Sequence, residues 1–283
     1  MIKLEPKEYT KLLTLLPKEG MNTLFAEAVL MGLIQGEVLA DRQEQPTWFY
    51  ILHPCHMSLL IGESDAVTSV EELKVFLLNE KGLRNEIEWM QVYPPSWNPL
   101  LEKVLGHQLI DKGPDEQYRK PLPADENSCV IRYRRSDFAF QTDRYELYRQ
   151  RNQPDNLRIK ETDHTIYPEL ENGVVPKLFW DSYGEFQRLG TGFTAFTPDE
   201  TPASTAFAAF VIGNLCEIGI ETIAEYRGQG YAHRACSRLI EYCLEKAYIP
   251  IWGCNSGNIG SWRLANKLGF EEVARRPYYR LPV

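Results

Sequence analysis

No run of this chain is apolar for long enough to cross a bilayer. The longest candidate, Leu24 to Ile34, is broken by Glu27 and falls far short of the ~20 residues a spanning helix needs. It reads as a buried helix instead. The opening segment, Met1 to Lys7, carries charges and Pro6 where an export signal places an apolar core, so no secretory leader is expected. Cysteine is sparse: six residues (Cys55, Cys129, Cys216, Cys236, Cys243, Cys254) show no C-x-x-C spacing, which predicts reduced thiols in a cytoplasmic protein. His53, Cys55 and His56 lie together in a strand-like run beside Pro54, but no second cluster completes a ligand set, and no metal is expected. Positive charge is also short. Lys and Arg total 31 against 39 Asp and Glu, a net charge of −8, which argues against a nucleic-acid binder, and with no spanning segment no membrane partner is expected either. A small cationic or amine-bearing ligand suits that balance better.

What is present is an ordinary globular composition, 43% apolar and 25% charged, over 283 residues. That length accommodates one large domain or two of roughly 140 residues. The chain also repeats itself. Trp89, Leu101, Leu105 and Gly106 match Trp252, Leu264, Leu268 and Gly269 at a constant offset of 163. Run backward, the same register lays His56–Ile61 on Gly219–Ala224 and Glu71–Glu80 on Arg234–Cys243. The Pro- and charge-rich segment from Gly113 to Asn127 marks the expected join. Two domains follow, residues 1–128 and 129–283.

In the second half, strands are expected at Leu157–Lys160, Thr191–Phe196, Ser204–Ile212, Leu215–Ala224, Ile249–Gly253 and Glu271–Arg276. Pro168–Leu189 reads as mainly helical. Tyr231–Ala247 is a helix, with Ala232, Ala235, Cys236, Leu239, Ile240 and Cys243 on one face. Asn258–Leu268 is another, stopped by Gly269.

Strand Leu215–Ala224 runs through Arg227-Gly228-Gln229-Gly230-Tyr231-Ala232 straight into a helix. Such a turn presents several free backbone N–H groups to one point, and the helix dipole adds positive charge there, which suits a pyrophosphate. Gly228 and Gly230 let phosphate oxygens approach the backbone. No Gly-Lys-Ser/Thr follows, so this is not a P-loop, and no complete G-x-G-x-x-G is present. On the same strand Glu217 and Glu221 share a face across Gly219, as two carboxylates that could take a proton. Phe179-Trp180-Asp181-Ser182-Tyr183 could form a wall for a cation. His107, His164 and His233 show no partners in the pattern and read as structural.

Arg227, Gly230 and Ala232, followed by Asn258, Ser261, Leu264, Ala265, Gly269 and Phe270 at matching spacing, resemble the two signature motifs of the GNAT superfamily of N-acetyltransferases. The likeness covers about Leu157 to Arg280, and reaches the first half through the repeat. Pro250 to Ser256 is similar to the zwittermicin-resistance-type subgroup. The resemblance implies an α+β fold of two tandem GNAT-like units, each a mixed, mostly antiparallel sheet flanked by helices. The first would be degenerate and the second would hold acetyl-CoA. It implies that the turn Arg227, Gly228, Gln229, Gly230, Tyr231 and Ala232 binds the pyrophosphate, that Asn258 and Ser261 are further cofactor-binding residues, and that Thr222, Ile223 and Ala224 grip pantetheine. It further implies direct attack of a small-molecule primary amine on the thioester, for which Glu221 or Glu217, on their shared strand face, is the candidate base. Where the family often carries a tyrosine as general acid, this chain has Ala265, which leaves that role to Tyr231, Tyr278, Cys254, a water, or no group. A non-catalytic acyl-CoA sensor and an aminoacyl-tRNA-dependent transferase are the alternatives.

Overall fold

The computed structural model describes residues 1–113, 116, 123, 126–151, 157–171 and 173–283. Most of the expected join between Gly113 and Asn127 lies outside them. In chain order the elements are β1 (Ile2–Lys3), α1 (Pro6–Tyr9), α2 (Leu24–Leu30), β2 (Glu37–Ala40), β3 (Trp48–Leu52), β4 (Met57–Gly62), α3 (Val70–Leu77), β5 (Glu88–Tyr93), α4 (Trp97–Leu105), β6 (Leu109–Asp111) and β7 (Val130–Phe140). There follow α5 (Thr142–Arg151), β8 (Arg158–Glu161), α6 (Tyr183–Leu189), β9 (Gly192–Phe196), β10 (Pro202–Ile212) and β11 (Leu215–Thr222). The last are α7 (Tyr231–Glu245), β12 (Ile249–Asn255), α8 (Ile259–Lys267) and β13 (Phe270–Leu281). No described helix is long and apolar enough to cross a membrane.

The chain divides into two compact units: Met1–Ser136 with Cys254–Ile259 and Ala274–Val283, and Asp137–Gly253 with Gly260–Val273. In the first, β1, β2, β3 and β4 pair antiparallel in sequence, β4 pairs β5 in parallel, and the end of β13 closes antiparallel on β5. One sheet face packs under α3 and α4, where Tyr50, Leu60, Leu73, Leu77, Met90, Trp97, Leu101 and Tyr279 form a buried cluster. In the second, β8, β9, β10 and β11 pair antiparallel and β11 pairs β12 in parallel. Strand for strand, this is the wiring of β1 to β5. Each unit is thus a mixed, mostly antiparallel sheet flanked by helices, the α+β class expected.

The repeat is visible in the structure with one correction to its register. The 163-residue offset holds at Gly106 and Gly269, but α3 and α7 start at Val70 and Tyr231, 161 apart. The first unit is two residues shorter between the start of its helix and that glycine, 36 positions from Val70 to Gly106 against 38 from Tyr231 to Gly269. Ser69, the residue before α3, is therefore the counterpart of Gly230, and Ser64–Ser69 does not lie residue for residue on Arg227–Ala232.

Two other expectations change. Pro168–Leu189 is two single 3₁₀ turns, Tyr167–Glu169 and Pro176–Leu178, and helix only from Tyr183. Pro168 and Pro176 remove backbone donors, and Gly173 sits at φ +75°, where the chain turns left-handed. His53, Cys55 and His56 occupy the tight turn between β3 and β4, not a strand, with the His56 N–H donating to the His53 carbonyl. No metal-ligand group of three or more side chains occurs among the described residues.

Candidate functional site

The second unit is built around α7. Tyr231, Ala235, Cys236, Leu239, Ile240 and Cys243 are buried along one face, against β9, β10 and β11. Ala232, expected on that face, is half-buried at its edge. Burial of Leu239 and Ile240 contributes about 1.5–3 kcal/mol each, which outweighs the roughly 1 kcal/mol a missing N-cap side chain costs. The helix start is therefore held in place although its N-cap, Gly230, offers no side-chain hydrogen bond. Gly230 sits at φ +91° and Gly228 at φ +77°, and a Cβ added to either would meet nothing within 4 Å. The turn is left-handed at two points and open in front. The first N–H groups of α7 have no intrahelical acceptor by geometry, so they are available to an anion. Gln229 is tied back by its Nε2–H to the Glu225 carbonyl at 2.9 Å.

The first unit answers this feature with a different one. Ser69 caps α3, its Oγ accepting the Glu72 N–H at 3.2 Å, so a side chain fills the place that Gly230 leaves open.

A second contrast lies in the parallel strand pair. β4 and β5 stay in register over five positions, Met57↔Trp89 to Ile61↔Tyr93. β11 and β12 pair over three, and the last is Glu217↔Ile251. β11 continues to Thr222, paired with β10 throughout but with β12 no longer beside it. The second unit therefore contains a fork with Glu217 at its base and the glycine turn beyond its open end.

Glu217 is 5% exposed. Gly219, next on its face, is required because a Cβ there would come within 2.4 Å of the Phe207 ring, which lies over the strand between the two glutamates. Phe179 packs edge-on against both Phe207 and Phe210 at 5.3 and 5.4 Å. Of the aromatic run expected to wall the site, Phe179 is the half-buried member beside the fork face. Trp180 is core, donating to the Ala208 carbonyl at 2.8 Å, and Ser182 caps α6.

Glu221 is bound on several sides. Its Oε1 accepts from Arg227 Nη2 at 3.0 Å and from the Thr222 N–H at 3.1 Å, and its Oε2 accepts from the Val174 N–H at 3.1 Å. Arg227 Nε also donates to the Thr222 carbonyl at 3.1 Å. The Ile223 N–H pairs with the Ala203 carbonyl at 3.0 Å, so the Thr222 and Ile223 amides are engaged within the protein, and Ala224 opens the 3₁₀ turn that follows. The Val174 contact had no signal in the sequence, because it comes from the segment read as helix.

Ser261 accepts a hydrogen bond from the buried Trp252 indole at 3.1 Å and so helps fix α8. Asn258, exposed, belongs to the first unit by compactness; its N–H donates to the Asn255 carbonyl at 2.8 Å. Ala265 is fully buried. Tyr231 is buried with its ring edge-on to Tyr226 at 6.0 Å. His233, in the first turn of α7, shares a hydrogen bond of 3.1 Å with the Tyr148 hydroxyl, and burial lowers its pKa to about 4.

With this geometry described, comparison with known proteins is informative. A family profile described as GNAT acetyltransferase matches residues 14–279. An uncharacterised N-acetyltransferase of Bacillus subtilis (strain 168), YdfB, is 26% identical over 278 residues, covering 98% of this chain and 97% of that protein. A GCN5-related N-acetyltransferase-like protein from Streptococcus suis 89/1591 has the same fold, with a TM-score of 0.67, 20% identity, and coverage of 98% of this chain and 100% of the other. A tandem GNAT protein from the clavulanic acid biosynthesis pathway aligns over 97% of this chain and 94% of its own at a TM-score of 0.54 and 13% identity.

Proposed function

The chain belongs to the GNAT acetyltransferase family, and from that premise we propose that it moves an acetyl group from acetyl-CoA to a primary amine of a small molecule by direct attack. The observation that carries this reading is the coincidence, in the second unit, of the fork after Glu217↔Ile251 with the uncapped glycine turn at α7. The first unit has neither. The functional division we propose, a degenerate 1–128 and a catalytic 129–283, follows the repeat and not compactness.

The residues fit the cosubstrate. The open space before Gly228 and Gly230 admits phosphate oxygens to the backbone N–H groups of Gly228 to Ala232. The free edge of β11 offers main-chain groups to an extended, amide-bearing ligand in the manner of an added strand, with Ala224 at its end. Asn258 and Ser261 flank the start of α8. Acetyl-CoA supplies an activated acyl group; the protein's share is positioning and the removal of one proton from the amine.

Glu217 and Glu221 are both candidates for that proton, and the geometry favours Glu217. It sits buried at the base of the fork, and the Glu221 carboxylate, which accepts from a guanidinium and two amides, braces the turn at the end of β11. Ala265 supplies no acid, so thiolate departure relies on another group or on none. The zwittermicin-resistance-type subgroup and a cytoplasmic setting, in keeping with six cysteines outside any disulfide, are part of the same proposal.

The test is thiol release from acetyl-CoA measured across a panel of primary amines, with and without aminoacyl-tRNA. Amine-dependent release supports the reading. Release that requires aminoacyl-tRNA, or tight acetyl-CoA binding with no release for any amine, overturns it in favour of a transferase of the other kind or of a sensor.

A further inference from the structure

The face of the first unit's sheet opposite its α3/α4 core contains a polar cluster that the acetyl-transfer reading does not use. Arg280 on β13 lies opposite Trp89 on β5, with Tyr279 opposite Met90. Residues opposite in register share a face, and alternate residues along each strand return to it. Trp89, Gln91, Tyr278 and Arg280 therefore lie together. Trp89 and Tyr278 stack at 5.1 Å with 21° between their planes, and the Arg135 guanidinium lies 5.7 Å from the Tyr278 ring centre.

Two members of this cluster are buried without partners. Arg280 is 5% exposed, and neither its Nε nor its Nη1 has a hydrogen-bond partner among the described residues. Gln91 is 1% exposed, and both its amide nitrogen and its amide oxygen lack one. The neighbouring Glu88 is not a counter-ion for Arg280. It is on the other face, bound to Arg84 at 3.0 Å and to the Tyr50 hydroxyl. A buried guanidinium without an anion, beside a buried amide without a hydrogen bond, is strongly disfavoured. Trp89, half-buried, is where the cluster comes nearest to solvent.

We propose that Arg280, Gln91, Trp89 and Tyr278 form a binding site for a small carboxylate, independent of the acetyl-CoA site. The paired N–H groups of a guanidinium match the two oxygens of a carboxylate, and a single negative charge suits a site lined otherwise by a neutral amide and aromatic faces. The Gln91 amide can donate to that carboxylate or accept an N–H from the ligand, and so orient it. The stacked rings favour an apolar or planar body behind the charge.

Calorimetry on the full chain without acetyl-CoA tests this with matched pairs, L-tyrosine against tyramine and L-lysine against cadaverine, and with inorganic phosphate. The acid of at least one pair is expected to bind at least tenfold tighter than its amine and tighter than phosphate. Arg280→Gln should lose that affinity at least tenfold, and Arg280→Lys, which keeps the charge without the planar fork, should lose part of it. Arg280→Met and Gln91→Leu should melt higher than the ligand-free wild type, because each removes an unsatisfied buried group, and should show no carboxylate-induced rise. No preference for the acids, tighter binding of phosphate, undiminished binding by Arg280→Gln, or a lower melting temperature in both apolar variants would overturn the proposal.

Discussion

Arg227 and Glu221, six positions apart in the chain, are joined from Nη2 to Oε1 at 3.0 Å between the end of β11 and the glycine turn. The arginine at the head of the motif therefore braces the turn against the strand that delivers it. Its side chain is 65% exposed, so the pair itself adds about 0–1 kcal/mol to stability. Its larger effect is geometric, because Glu221 also gathers the Thr222 and Val174 amides at the same point.

Gly230 is the most direct test of the anion site. Gly230→Asp places a side chain and a like charge before the pyrophosphate, and forces a non-glycine residue to φ +91°. Acetyl-CoA affinity should fall at least tenfold, or about 1.4 kcal/mol. Titration calorimetry on the folded variant measures it, and unchanged affinity would place the cofactor site elsewhere.

The two glutamates should separate kinetically. Glu217→Gln is expected to lower kcat by about 10²-fold, to leave acetyl-CoA affinity within twofold, and to alter the low-pH limb of the rate profile. Glu221→Gln is expected to raise the KM for acetyl-CoA through a loosened Arg227, with the pH profile kept. The reverse pattern would make Glu221 the base.

One acetyl-CoA per chain is expected, despite two units of the same wiring. Ser69 fills the helix end in the first unit and β4–β5 stays paired for all five positions. Calorimetry should give a stoichiometry near one. A value near two, reduced by substitution at Ser69, would show that the first unit binds as well.

Acid should weaken the fold through His53. Its Nδ1 accepts the Cys55 N–H at 3.0 Å, and burial, helped by neighbouring His56, lowers its pKa to about 3. Between about pH 6.5 and pH 3 the unfolded chain binds a proton that the folded chain refuses. Its contribution is thus complete above pH 6.5 and is lost as pH falls, by an amount on the order of a few kcal/mol. Urea melts at pH 7 and pH 4.5 should show a smaller acid loss for His53→Asn than for the wild type. Equal losses would assign acid sensitivity to other groups.

Much of this was legible in the residues. Apolar spacing located α7, Gly269 marked the end of α8, and Gly228 and Gly230 marked the turn. The offset between Trp89 and Trp252 exposed the repeat. Three features were not legible, for different physical reasons. Two residues fewer between the start of α3 and Gly106 break an ungapped register without changing the order of elements. Pro168, Gly173 and Pro176 interrupt a stretch expected to be mainly helical, and their backbone constraints leave helix only from Tyr183. The fork after Glu217 depends on where a ladder between two distant strands ends, which neither strand's own pattern encodes. Gly219 was its nearest trace: it was read as space between two carboxylates, and it proves to be clearance for Phe207.

The bare N-terminus of α7 has a consequence for motion. Without a cap, the amides from Tyr231 to His233 have no acceptor within the helix, whereas the Arg234 N–H already donates to the Gly230 carbonyl at 3.2 Å, and that first turn is the part of the helix most prone to fray. An anion seated there would do what Ser69 does permanently for α3. Hydrogen–deuterium exchange across residues 231–233 should therefore slow sharply when cosubstrate is present and stay unchanged at Val70–Glu72. The unloaded protein would then carry its own occupancy gauge at the first turn of a single helix.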